Sequence, residues 1–432
     1  MAHVTQIASL VNVMHRLGIN RQRAFDFSAL LSGQVGRLMC SMVYFVVLAS
    51  ALSLEQFGVF ATCSAIGIVL SRMTGLGFIS PLFRVATTKP RLIGDYTGGF
   101  LIATLVSTPL LTAVAFGIYA LLYADLIPLT AFLLIIMAEV LMWRGLEAVI
   151  IVNNGLNRYA LASAIGIGGV AAKAVAATYF LLSDVRSLEI WAQLYFGILA
   201  ASCLIAVVLF YPRQRLRWRP KAWLGRAKDA IGVSWAEALF YVQAEMDKVL
   251  VLALGGEMLA GLYAICMRLI DLTAMPVRAF NTMLTQWIMR QRKSGGEPLT
   301  GLRLDLLIAF VSIAAMAAMA IILSLAPGIL GQNIALATSY LWLLLLVPAF
   351  RNAIELHTEL LYGHERMKQR VLLLAYLTVM KGLLLAVLLG QVEDFHTIAL
   401  WLNGMFAVLY LVSAIVTYGQ VLQRSNKNER RD

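Results

Sequence analysis

The chain has 432 residues, 60% of them hydrophobic and only 13% charged, whereas a soluble domain is about 25% charged. That balance excludes a soluble globular enzyme and leaves material for about twelve membrane-spanning helices of roughly 20 residues each. The net charge of +12 suggests nucleic acid in a soluble protein, but in a membrane protein cations first set orientation.

The first residues carry no basic run ahead of their apolar part, so no cleaved signal is expected. Val4, Ile7, Val11 and Met14 fall on one helical face, which suits a short interfacial helix within a cytoplasmic N-terminus at 1–26. Apolar stretches follow at about 27–52, 57–83, 97–123, 127–152, 157–182 and 187–211. Six more run at about 231–254, 259–289, 303–325, 336–362, 371–390 and 396–420. The expected organisation is a six-helix bundle at 27–211, a basic cytoplasmic linker at 212–230, a second six-helix bundle at 231–420 and a cytoplasmic tail at 421–432.

With the N-terminus inside, 25 of the 35 lysines and arginines fall in inside segments, Arg186 alone falls outside, and nine lie within spans. The positive-inside rule therefore supports twelve spans, a multi-pass membrane protein, and two cytoplasmic termini. The linker PRQRLRWRPKAWLGRAKD interleaves tryptophan with cations. Its place between two blocks of spans favours contact with anionic lipid over RNA, so no nucleic-acid partner is expected. Cys40, Cys63, Cys203 and Cys266 form neither a CxxC nor a Cys/His cluster, and neither a P-loop nor HExxH occurs. No cofactor, metal or enzymatic activity is expected.

The two blocks repeat one another. Gly58, Ala61 and Cys63 recur as Gly261, Ala264 and Cys266, and Glu147, Gly155, Arg158 and Lys173 recur as Glu355, Gly363, Arg366 and Lys381. Charged residues do not recur inside apolar segments by chance as readily as apolar ones do. Even-numbered blocks share one orientation, which predicts an all-α fold of two parallel-repeat bundles around a central cavity, the arrangement used for alternating access.

A charge at mid-bilayer costs at least about 2.5–3.5 kcal/mol, so it faces a partner or a wet cavity. Arg144/Glu147, Glu245/Lys248 and Arg268/Asp271 are spaced i,i+3 and Arg351/Glu355 i,i+4, so each pair is expected to close along its own helix. Arg37, Arg72, Lys173, Arg278 and Lys381 have no acid at those spacings. Glu139 lies at the depth of Lys173 and can neutralise it, but its repeat position is Val347, which leaves Lys381 without that partner. Arg37 and Arg72 suit a pyrophosphate, because guanidinium grips phosphate oxygens bidentately, unless they snorkel to head groups. The candidate substrate-binding cations are thus Arg37, Arg72, Lys173, Arg268, Arg278, Arg351 and Lys381. Glu139, Glu237, Glu245 and Asp247 are candidates for coupling to H+ or Na+, or for pairing across helices. His357, between Glu355 and Glu359, is a pH sensor or simply a hydrogen-bonded core residue.

The stretch LLSGQVGRLMCSMVYFVVLASALSLEQFGVFATCSAIGIVLSRMTGLGFISPLFRVATT (30–88) resembles the polysaccharide-export branch of the multidrug/oligosaccharidyl-lipid/polysaccharide (MOP) superfamily. Glu55, Phe57, Gly58, Val59 and Phe60 match its first outside loop and second-span opening, and GLGF at 75–78 matches its second-span ending. The resemblance, closest to Wzx-type flippases, implies a MATE-like fold that flips a polyprenyl-pyrophosphate-linked oligosaccharide by alternating access. It also implies contact with membrane lipid and with polysaccharide polymerase partners. Arg37, Arg72 and Arg268 lie on spans where the related lipid II flippases carry cavity arginines, although those relatives usually have fourteen spans. An ion-coupled exporter of cationic drugs and a membrane-embedded polysaccharide polymerase or ligase are the alternatives.

Overall fold

The computed structural model describes residues 21–217, 220–278, 280–281, 284, 301–326, 328–364 and 366–428. The interfacial helix expected over the first 20 residues and most of the basic stretch 290–303 lie outside the described residues. The first half contains α1 (Arg21–Ala51), α2 (Leu54–Ser71), α3 (Ile79–Thr88), α4 (Ile93–Leu122), α5 (Leu129–Met137), α6 (Arg144–Gly155), α7 (Tyr159–Leu181) and α8 (Leu188–Phe210). After the short α9 (Pro220–Leu224) come α10 (Ala227–Thr273), α11 (Leu302–Leu325), α12 (Gln332–Leu341), α13 (Val347–Gly363), α14 (Met367–Gln391) and α15 (Phe395–Asn428).

Among the described residues, nine helices are long and apolar enough to cross a membrane. The 47-residue α10 is about 70 Å of chain, twice a bilayer, and Gly256 at φ 80° breaks it into two crossings. Two further crossings are interrupted helices. In one, α5 passes through a π-helical segment, Ala138–Trp143, into α6; in the other, turns at 342–346 join α12 to α13. Together with the division of α10, these two interrupted crossings bring the nine helices to the twelve expected spans. Leu105, Leu325 and Leu372 are 75%, 82% and 69% exposed, so bare apolar faces are left for lipid chains.

The second span departs from a simple helix. After α2 the chain makes a tight turn, Thr74–Gly77, in which Gly75, Leu76 and Gly77 all have positive φ, and only then resumes as α3. A side chain at Gly77 would overlap the Ala230 carbonyl of α10, which explains the glycine in the GLGF motif. The described part of the linker also docks on the first half. Gln214 accepts from the Gly94 amide and donates to the Pro90 carbonyl, and Trp223 is buried edge-on against Phe78. Outside the spans, Asp394 accepts from the Thr397 amide at the start of α15, which holds its carboxyl below the usual range.

The halves meet first through α2 and α10. A Cβ on Gly58 would overlap the Gly261 backbone, and one on Gly261 would overlap the Leu54 carbonyl, so repeat-equivalent glycines bring two backbones together. Small residues permit such approaches where lipid removes the hydrophobic drive for helix association. At the same end, Asn333 of α12 donates to the Ala49 and Leu52 carbonyls at 2.7 and 2.9 Å, capping α1. At the opposite end, Ser234 of α10 donates to the Arg72 carbonyl at 2.8 Å.

Gly58→Ala is expected to destabilise the detergent-purified protein by about 1–3 kcal/mol, the usual cost of overpacking. Gly117→Ala in α4, which faces open space, should leave the melting temperature unchanged or slightly higher. Equal melting temperatures for the two variants would contradict the contact.

Candidate functional site

The walls of α1, α2, the π-segment, α7, α8 and α10 enclose a cavity of about 1560 Å³, its open mouth included. It runs from Leu48 and Phe57, near the glycine crossing, to Arg37, Arg72 and Arg278 toward the other end of the same helices. Six bases line it (Arg37, Arg72, Lys173, Lys248, Arg268 and Arg278) against three acids, Glu139, Glu245 and Asp271. Arg351 and Lys381 instead line a smaller cavity of about 630 Å³ in the second half, which shares Asp271 and Arg278 with the first.

Two of the four expected same-helix pairs form. Arg144 meets Glu147 at 2.8 Å, and Lys248 meets Glu245. The other two are replaced by pairs across helices. Asp271 binds Arg278 and Arg351, each at 3.2 Å, and Glu355 binds Arg278 at 3.1 Å. The result is a chain of alternating sign, Arg351, Asp271, Arg278, Glu355, which satisfies both acids and takes nothing from Arg268. Arg268 donates to the Ser41 hydroxyl at 2.5 Å. Among the described residues, neither Arg268 nor the exposed Arg37 has an acid within ion-pairing distance.

The repeat is visible in the charges. Arg72 binds Glu147 at 3.0 Å as Arg278 binds Glu355, one pair between the second and fourth spans of each half. Arg72 also lies over the Tyr241 ring at 4.6 Å. Each half further buries a lysine against a carboxylate that takes a tyrosine hydroxyl. In the first, Lys173 stands 3.8 Å from Glu139, donates to Tyr195 at 3.0 Å, and Tyr195 bonds Glu139. In the second, Lys381 meets Asp247 at 3.0 Å and Tyr263 donates to Asp247 at 2.7 Å. Because Val347 replaces Glu139, the partner of Lys381 comes from another helix, α10.

The four acids that are candidates for ion coupling or for pairing across helices are all within ion-pairing distance of cations. Glu139 and Glu245 line the cavity in ion pairs; Glu237 lies outside it, 3.7 Å from Arg144, and Asp247 is buried against Lys381. Sequence reasoning missed Lys248 and Asp271 as lining residues, having closed both within local pairs. It also missed Trp143, whose ring lies 4.0 Å from the Lys173 ammonium; the only signal was the short spacing of Trp143 from Glu139. Two glycines serve this wall: Gly67 lies against the Glu139 side chain, and Gly58 sets the crossing.

Solved structures share this architecture at low identity. One, described as the inward-facing conformation of a multidrug resistance MATE family transporter of the MOP superfamily, is 16% identical over 91% of this chain and 96% of its own, with a TM-score of 0.65. A MATE protein in complex with MaL6 is 12% identical over 92% and 97%, with a TM-score of 0.57. A MOP superfamily transporter from Pyrococcus furiosus, described as having a binding pocket of reverse polarity that suggests a different function, is 14% identical over 93% and 94%, with a TM-score of 0.55. No protein-family model matches the chain, and no curated protein does. The chain is an all-helical membrane protein with a MATE-like fold.

Lys381→Met leaves Asp247 buried without a counter-charge and is expected to cost about 3–5 kcal/mol. Adding Asp247→Leu should recover most of that loss. A double variant that melts no higher than the single one would show that the two side chains are not coupled.

Proposed function

We propose that the protein is a secondary transporter that flips a polyprenyl-pyrophosphate-linked oligosaccharide, an O-antigen or exopolysaccharide repeat unit, across the bacterial inner membrane. Both termini are cytoplasmic in this reading, and the bundles at 27–211 and 231–420 rock about the cavity to expose it alternately. The observation that carries it is the charge of the cavity: six bases against three acids, with Arg37 and Arg268 lacking ion-pair partners among the described residues. Two guanidinium groups without counter-ions suit phosphate oxygens, which they bind bidentately. The saccharide occupies the cavity while the prenyl tail stays among the lipids, and a polysaccharide polymerase is the expected downstream partner.

A drug exporter of the same superfamily is the second reading, favoured by the description of one structural neighbour as a multidrug resistance transporter. A cationic drug needs unpaired acids, and those of this cavity are held by lysine or arginine.

The test is leaflet accessibility in liposomes holding the purified protein and a polyprenyl-pyrophosphate oligosaccharide with a fluorescent sugar, quenched from outside. Protein-dependent quenching beyond the outer-leaflet share is expected. Replacing Arg37 and Arg268 by Gln should weaken binding at least about tenfold for each charged hydrogen bond lost, at about 1.5–3 kcal/mol apiece. Protein-dependent efflux of a cationic dye without any lipid flipping would overturn the proposal in favour of drug export.

A further inference from the structure

The second half contains a buried cluster that the cavity does not use. His357 of α13 is fully buried and Asp305 of α11 is 3% exposed. The imidazole Nε2 lies 3.2 Å from both Asp305 oxygens, and Nδ1 lies 2.7 Å from the Ser413 hydroxyl of α15. Tyr410 of α15 donates to Asp305 at 2.9 Å and stacks on the imidazole with ring centres 5.6 Å apart.

The hydrogen-bond inventory of this cluster accommodates one further proton. The Ser413 hydroxyl lies 2.7 Å from Nδ1 and 2.9 Å from the Tyr410 carbonyl, so it can donate to either; when it donates to the carbonyl, it accepts from His357 and Nδ1 carries a hydrogen. A neutral imidazole then has only a lone pair at Nε2, which would face a carboxylate that also has only lone pairs. The contact is satisfied when one further proton lies between them, either on Nε2 as imidazolium or on Asp305 as carboxylic acid. Removing it forces the Ser413 hydroxyl to turn its hydrogen from the Tyr410 carbonyl to Nδ1, or leaves two acceptors facing each other, at the place where three helices meet.

We infer that the Asp305–His357 pair is a proton-binding site, and that its occupancy biases the packing of α11, α13 and α15 and with it the conformation of the transporter. The other charged groups near His357 are already engaged. On its own helix Glu355 is held by Arg278 and Glu359 by Arg370 of α14, while Lys381 of α14 is held by Asp247. From α15, Tyr418 sets its ring edge against the imidazole at 5.2 Å. Histidine is the side chain whose charge ordinarily changes between about pH 5 and 8, whereas the carboxylates of the two cavities face permanent cations. The nearby smaller cavity is lined by Asn352 and Thr358, on either side of His357 in sequence, and shares Asp271 and Arg278 with the larger one. This inference rests on the transport reading only in requiring a conformational change to bias; the solute does not enter it.

The test uses the full-length chain with 15N-labelled histidine in lipid nanodiscs, titrated from about pH 5 to 9. One histidine signal, absent in His357→Gln, should show a protonation step, and that step should move in Asp305→Asn. In parallel, Ala61→Cys on the cavity wall, with the four natural cysteines replaced, reports access through its rate of maleimide labelling. A proton bound about tenfold more tightly in one conformation shifts the conformational equilibrium up to about tenfold across its titration. Labelling should follow the histidine step and become flat in His357→Gln. Ser413→Ala, which keeps the pair and removes the Nδ1 partner, should move both curves together, and it serves if His357→Gln fails to fold. A His357 signal that never changes protonation, or labelling that does not move with it, overturns the inference. Failure of lipid flipping with both titrations intact removes the substrate reading and leaves this one standing.

Discussion

The approach of Gly58 to Gly261 sets the distance between the second and eighth spans, and the cavity is built outward from that contact. In lipid, apolar side chains gain little by turning from solvent to protein, so helix association depends on close packing and on polar contacts. The two glycines supply the packing reciprocally, each admitting the backbone of the other helix. Arg72 lies fourteen residues beyond Gly58, roughly 21 Å along the helix, so a change of roughly 10° in crossing angle moves it by roughly 4 Å. The opposite end is tied by softer contacts, a serine hydroxyl on the Arg72 carbonyl and the Gly77 backbone against Ala230. The two halves are thus joined by a close contact of two backbones at one end and by polar contacts at the other.

Electrostatics then decide what the cavity presents. Local spacing places Asp271 beside Arg268 and Glu355 beside Arg351, yet both acids turn to other helices. An i,i+3 or i,i+4 pair is worth only about 0.2–0.5 kcal/mol on an isolated helix, whereas a buried charge left alone costs several kcal/mol. The pairing that leaves fewest buried charges unmatched therefore overrides the local one. Arg278 is the pivot of that network, because it reaches both Asp271 and Glu355, and its repeat partner Arg72 reaches Glu147 in the same way.

Much of this was legible in the sequence and some could not be. Span positions were readable within a few residues because stretches of about 20 apolar residues leave few alternatives, and the recurrence of Glu147 and Lys173 as Glu355 and Lys381 marks two equivalent pairs of positions. Helix rotation was not readable: lipid-facing and core-facing surfaces are both apolar, so periodicity does not say which way a charge points. For that reason Glu139 could be matched to Lys173 by depth, while Asp247 could not be matched to Lys381, 134 residues away in the chain. The π-segment at Glu139, the bend at Gly256 and the docking of Trp223 leave no composition signal. His357 was readable as a titratable group, but its neighbours in sequence, Glu355 and Glu359, are not its partners in space.

The two halves carry the same scaffold with different chemistry. The first half and α10 hold the excess of cations, and the second half holds the carboxylate paired with histidine rather than with a permanent cation. Had Arg37 and Arg268 been matched like their neighbours, the cavity would discriminate little between anionic and neutral solutes. Two cations without acids are tolerated only where water or a ligand solvates them, as in an open cavity. When the cavity closes around its contents that water is reduced, and an anionic head group becomes the remaining partner. In the transport cycle proposed above, the same unpaired charge that would make the empty closed state unfavourable would make the loaded one favourable, which is the condition for not cycling empty.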